Sequence, residues 1–170
     1  NLKRALPYFE GYVKNHPEDT TVQEILFDIY RKENNAPAAY GQALVLLELK
    51  PSETDTYDFV FEYLKSRGEF DQLIPMLEKG AKNNPHQILM NEYLATAYLK
   101  AGKVDLGTKE IEKLLREKSR QAVPLLHELF EILVVRKNYQ AIIDIMKKGV
   151  MVDPENIFLR EYLIFAYLKT

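Results

Sequence analysis

The sequence predicts an all-α solenoid of antiparallel helix pairs, and three observations carry that prediction. Pro17, Pro51 and Pro85 stand 34 residues apart, and Gly68 and Gly102 share the same period. The stretch EYLATAYLK at 92–100 returns 69 residues later as EYLIFAYLK at 161–169, with seven of nine letters kept. No segment shows the sustained apolar–polar alternation of a half-buried strand. A fixed period in this range marks a stack of like units, each too small to bury its apolar face alone. Counting 34 on from Pro85 reaches Ser119, and Pro154 lies 35 beyond it. The interval of 69 is therefore two periods with one residue inserted around Ser119–Val123.

Within a period the pattern is two helices. After Pro85 the apolar residues Leu94, Ala95 and Tyr98, then Val104, Ile111, Leu114 and Leu115, recur at helical spacing, with a break at KAGK. Gly102 in that break can take the left-handed conformation that ends a helix. The proline closes the second helix, because it lacks an N–H and pushes the preceding residue to extended geometry. Pro7 and Pro75 fall early in their own helices, where a slight bend is expected.

Composition excludes several classes of function. The 170 residues carry a net charge of −2, against the basic excess of a general nucleic-acid binder. With no cysteine there is no disulfide, thiol nucleophile or cysteine-ligated zinc. No apolar run is long enough to span a membrane, and no secretory signal opens the chain; the compartment is left open, with the cytoplasm slightly favoured. His16, His86 and His127 lie far apart without metal-ligand spacing, and a lone histidine such as His127 is more often merely hydrogen-bonded. Phosphate loops and nucleophile elbows are missing. We expect no active site, no cofactor and no metal.

The 34-residue helix–turn–helix unit, with Leu-small-x-x-Tyr in its first helix and a closing proline, resembles the tetratricopeptide repeat over essentially the whole chain. The resemblance implies a right-handed superhelical solenoid of about ten helices, forming a single array over 1–170. Setting the family's closing proline at Pro17, Pro51, Pro85 and Pro154 places the elements in order. Residues 1–19 are the second helix of a preceding repeat. Full repeats follow at 20–53, 54–87, 88–122 and 123–156, and 157–170 is the first helix of a further one. The third repeat fits best, with Leu94, Ala95, Tyr98, Gly102 and Gly107 in place. Elsewhere Phe27, Phe61, Phe130 and Ile164 replace the small residue that lets paired helices approach, so repacking around bulk is expected.

The last helix has its own expectation. Ile157, Leu163, Ile164 and Tyr167 should pack on the fourth repeat, while Phe158, Leu159, Tyr162, Phe165 and Leu168 leave the helix apolar nearly all round. Repeat arrays normally end in a polar cap. With a first residue other than Met, this leads us to expect a longer natural chain. In this stretch, the helix is expected to pair with its counterpart in a second copy, giving a homodimer.

In the family the first helices line a concave groove. The second, fifth, sixth and ninth residues of each give twenty lining sites here, of which nine are acidic and none is Lys or Arg. The candidate peptide-binding groove comprises Glu24, Asp28, Asp55, Asp58, Phe59, Glu62, Glu92, Tyr93, Glu131, Glu161, Tyr162 and Phe165. Acids near a helix N-terminus complement its dipole, which explains Glu24, Asp55 and Asp58 without any partner. Asp28, Glu62 and Glu131 sit too far along for that. Tyr93 and Tyr162 are also at the right spacing simply to pack between first helices. Some family members grip acidic chaperone tails with Lys, Asn and Arg, but the corresponding places here hold Glu24, Asp28, Phe59, Leu89 and Tyr93. The expected partner is instead a protein or peptide bearing Lys or Arg with apolar side chains. The expected function is a non-catalytic interaction module or scaffold; the alternative is a substrate-recruiting arm of a larger enzyme or secretion machine.

Overall fold

A computed structural model describes residues 2–170, with side chains from Arg4 onward. Asn1, which opens the expected segment 1–19, lies outside the described residues. The chain is all-α. Ten helices follow one another: α1 (Leu2–Val13), α2 (Thr20–Lys32), α3 (Ala36–Leu49), α4 (Thr54–Arg67), α5 (Phe70–Asn83), α6 (Ile88–Lys100), α7 (Val104–Arg116), α8 (Ala122–Val135), α9 (Tyr139–Val152) and α10 (Ile157–Tyr167). No strand occurs among the described residues.

The turns inside the helix pairs display the period in their backbone. Left-handed residues recur at Asn34, Gly68, Gly102 and Lys137, with φ of 55°, 70°, 73° and 54°. Their spacing is 34, 34 and 35, so the inserted residue falls between the last two. Glycine takes this conformation freely, and asparagine tolerates it better than lysine does. Side-chain caps begin four helices: Asp19 accepts from the Thr21 and Val22 amides, and Asn35, Asn138 and Asn156 each accept one amide. The proline turns are tied in place as well. The Pro17 carbonyl accepts from Gln23 at 2.7 Å, and the Pro51 carbonyl accepts from the Asn84 amide group at 3.1 Å.

The chain forms two compact units, residues 1–84 and 85–170. In the first, α2 packs on α1 and α3, and α4 packs on α3 and α5. Phe27 and Phe61 are buried there despite their bulk, and the second helices compensate with small residues. Gly80 of α5 lies so close to the Tyr57 ring that a Cβ would come within 2.7 Å of it. Helices α1 and α5 run through Pro7 and Pro75, each in its second turn.

In the second unit α8 touches both α6 and α10, while α7 and α9 contact each other, so first and second helices form two layers. The core runs between them through Ala95, Leu114, Leu126, Leu129, Ile142 and Met146. Gly149 of α9 admits Leu126 and Leu159: a Cβ there would stand 2.6 Å and 3.3 Å from them.

Helix α10 corrects the expected facing. Leu163 packs on the core as expected, together with Tyr162 and Phe165, but the fully buried residues are Leu159 and Ala166. Ile157, Ile164 and Tyr167 are instead 65%, 58% and 50% exposed. The repeat explains why. Counting back 69 residues, Ile164, Tyr167 and Leu168 correspond to Ala95, Tyr98 and Leu99 of α6. Those three are buried by α7, whose Gly107 sits against Leu99 and Ala95. The matching side of α10 has no second helix over it among the described residues.

Candidate functional site

The structure divides the twelve candidate residues equally between the units, and each face is described by itself. None of them is core. Asp28, Asp55, Glu62, Glu131 and Glu161 are exposed, and the other seven are half-buried.

In the first unit the face of α2 and α4 holds Glu24, Asp28, Asp55, Asp58, Phe59 and Glu62. A cleft of about 360 Å³ is lined by Arg31, Asp55, Asp58, Phe59 and Glu62. Arg31 was not among the lining positions read from the sequence. Its guanidinium lies 5.2 Å from the Phe27 ring centre and 5.8 Å from that of Phe59, a cation–π placement over an edge-to-face aromatic pair. Stacking continues from Phe59 to Tyr63 and from Tyr63 to Tyr40. Two acids of this face are already engaged: Glu24 pairs with Lys50, and Glu62 with Lys65 at 2.9 Å. Asp28 and Asp55 have no ion pair among the described residues. The Arg31 signal was available in the sequence, one turn after Asp28, but it sits at the twelfth residue of the helix, outside the four positions counted. This face is acidic with a cation built into it.

In the second unit Glu92 and Tyr93 stand on α6, Glu131 on α8, and Glu161, Tyr162 and Phe165 on α10. Tyr162 lies flat against Phe130, and Phe165 meets the same ring edge-on at 5.6 Å between centres. Packing therefore accounts for part of both residues. The Tyr162 hydroxyl extends further and touches His127 Nδ1. Around this contact is a predominantly apolar cleft of about 280 Å³, lined by Val123, Pro124, His127, Asn156, Phe158, Leu159 and Tyr162. Phe158 at its lip is 65% exposed. Burial, then the charges of Glu131 and Glu161, hold the Tyr162 hydroxyl above its ordinary pKa. Neither glutamate has an ion pair among the described residues. Glu128, by contrast, is taken by Lys100 at 3.1 Å.

Glu92 behaves differently from the other acids. It is half-buried, and that burial alone raises its carboxyl pKa above the ordinary value. Its counterpart 69 residues on, Glu161, is exposed.

Among the described residues no cluster of His, Asp and Glu could hold a metal ion. Among the described residues no helix is long and apolar enough to cross a membrane.

No family model matches the chain. It is 24% identical over 165 residues to the TPR repeat-containing protein YpiA of Bacillus subtilis (strain 168), covering 97% of this chain and 38% of YpiA. Its fold is similar to the crystal structure of YrrB, a TPR protein with an unusual peptide-binding site, with a TM-score of 0.66 at 12% identity over 94% of this chain and 82% of that one. It is similar also to the MamA RS-1 ArsTM double mutant, with a TM-score of 0.53 at 13% identity over 99% and 84%. At such identities these structures speak for the fold alone. The 34-residue period, the left-handed turns that repeat with it and these likenesses converge on a fold of the tetratricopeptide-repeat kind.

Proposed function

We propose that the second unit binds a protein segment carrying an apolar side chain next to Lys or Arg, on the face of α8 and α10. The observation that supports this reading is the apolar cleft at Phe158 and Tyr162, between helices that also carry the exposed Glu131 and Glu161. Rigid aromatic walls offer contact area at low entropic cost, and unpaired carboxylates beside them select a cationic neighbour. The face of the first unit, with Asp28, Asp55, Asp58 and Phe59, suits the same partner chemistry, although Arg31 weakens its field. Hydrogen exchange with a peptide such as GKKLFKKG tests the placement. Amides of α8 and of the start of α10 gain protection; protection confined to other helices overturns the reading.

YpiA's length favours a second reading, since this chain matches only 38% of it. In that reading the repeats recruit substrates for a larger enzyme or secretion machine. We further propose that the outer side of α10, with Ile164 and Leu168, pairs with its counterpart in a second copy.

A further inference from the structure

A second docking surface, opposite in charge, lies in the layer of second helices of the same unit. A cleft of about 390 Å³ opens between α7 and α9, lined by Glu112, Leu115, Arg116, Lys118, Lys148, Met151 and Val152. Its floor is apolar. Leu115 is buried in the core, Val152 is half-buried, and Met151 is 82% exposed, one of the most exposed large apolar side chains described. Its rim is cationic. Lys148 is held by Glu112 at 2.6 Å, but Arg116 and Lys118 have no ion pair among the described residues. Among the lining residues three cations stand against one acid, and two of those cations are unpaired. The rest of the chain is on balance acidic.

The surface also sits where the repeat is broken. Four of the five turns between helix pairs carry the recurring proline, at Pro17, Pro51, Pro85 and Pro154. At the α7–α8 turn Ser119 replaces it, one residue is inserted, and Lys118 takes a left-handed φ of 53°. No other turn between pairs has a positive φ among the described residues. A lysine side chain is thus displayed from a backbone conformation that lysine disfavours, at the edge of an open apolar cleft.

We infer that this cleft docks an acidic segment of a partner protein, with an apolar side chain set on Leu115 and Met151 and flanking carboxylates on Arg116 and Lys118. Charge complementarity selects this occupant. Two unpaired cations fall short of the about four to eight clustered Lys or Arg that mark recognition of anionic lipid. They are also too few, in a chain of net charge −2, for the phosphate tracking that dominates nucleic-acid affinity. The volume lies within the range of about 300 to 1,000 Å³ typical of ligand clefts, enough to enclose discrete side chains.

The inference is independent of the cationic-peptide reading, and its test keeps the two apart. Fluorescence anisotropy would follow a labelled GDELFEDG peptide titrated with the 170-residue protein. Controls are GDESSEDG, which lacks the apolar pair, and vesicles of phosphatidylcholine with phosphatidylserine. Binding is expected for GDELFEDG, weakened at least tenfold for GDESSEDG. It should weaken as much in the Arg116→Glu/Lys118→Asp variant and in Met151→Asp. Aspartate is chosen at 118 because it tolerates the left-handed backbone, and circular dichroism confirms that each variant is folded. Glu131→Lys/Glu161→Lys, on the other face, should leave this binding within twofold. Absence of binding, binding that survives both cleft variants, loss of binding in the variant of the other face, or binding to the anionic vesicles alone would each overturn the inference.

Discussion

Tyr162 and Phe130 lie face to face, with ring centres 3.9 Å apart and planes within 12° of parallel. One ring belongs to α10 and the other to α8, so the pair joins consecutive first helices while its outer surface walls the cleft beside Phe158. Packing and binding can be separated here by substitution. Tyr162→Phe keeps the stack and removes only the hydroxyl that meets His127, so thermal stability should hold while affinity for a cationic peptide shifts. Tyr162→Ala removes the ring and should lower unfolding free energy by about 2 kcal/mol, between the aromatic-pair contribution and the cost of emptying a full core site. Urea denaturation of the two variants measures the contrast.

Two glycines predict opposite signs for one substitution. Gly149→Ala forces a methyl to within 2.6 Å of Leu126 and 3.3 Å of Leu159, and should destabilise by about 1–3 kcal/mol. Gly41 lies inside α3 with nothing within 4 Å of a Cβ, so Gly41→Ala should stabilise by about 0.5–1 kcal/mol through helix propensity. Parallel chemical denaturation decides both, and equal effects would contradict the packing described.

Glu92 sets a pH dependence. Burial raises its carboxyl pKa in the folded state above the ordinary 4.5, so the folded chain holds that proton more tightly than the unfolded chain. Its contribution is therefore most favourable in acid and is lost as pH rises from about 4.5 through the folded value. Glu92→Gln should raise the melting temperature at pH 7, with the advantage vanishing below about pH 4. A lower melting temperature for Glu92→Gln at pH 7, with the deficit vanishing in acid, would show that Glu92 is charged and paired instead.

The outer side of α10 predicts self-association. Ile164 and Leu168 are 58% and 80% exposed on the side that α7 covers in the equivalent place on α6. Sedimentation velocity should show a concentration-dependent dimer, and Ile164→Lys/Leu168→Lys should render it monomeric. A parent protein that stays monomeric at high concentration rules this pairing out.

Much of the fold was legible because the period is carried by residues that act on the backbone. Prolines 17, 51, 85 and 154 and glycines 68 and 102 mark where helices must stop, and the inserted residue appeared as the one misfit at Ser119. The facing of α10 could not be read from its own apolar pattern, which has no phase; only the 69-residue register, setting Ile164, Tyr167 and Leu168 on Ala95, Tyr98 and Leu99, carries it. What fixes it is Gly149, whose missing side chain makes room for Leu159. The candidate faces were half legible. Their acids follow from position within the repeat, but the cations that reach them do so on long side chains. Lys50 crosses to Glu24, and Lys100 to Glu128, from places that position alone does not connect. Arg31 entered in the same way, through its stacking on Phe27 and Phe59.

In the function proposed above, the α8–α10 face selects a cationic, apolar segment through Glu131 and Glu161. Isothermal titration of GKKLFKKG into the parent protein and into Glu131→Lys/Glu161→Lys tests it most directly, at low salt and again at about 150 mM, where exposed charges are screened over about 8 Å. Affinity is expected to fall at least tenfold in the variant and to weaken with salt in the parent. An affinity that is the same in both proteins and indifferent to salt would contradict it.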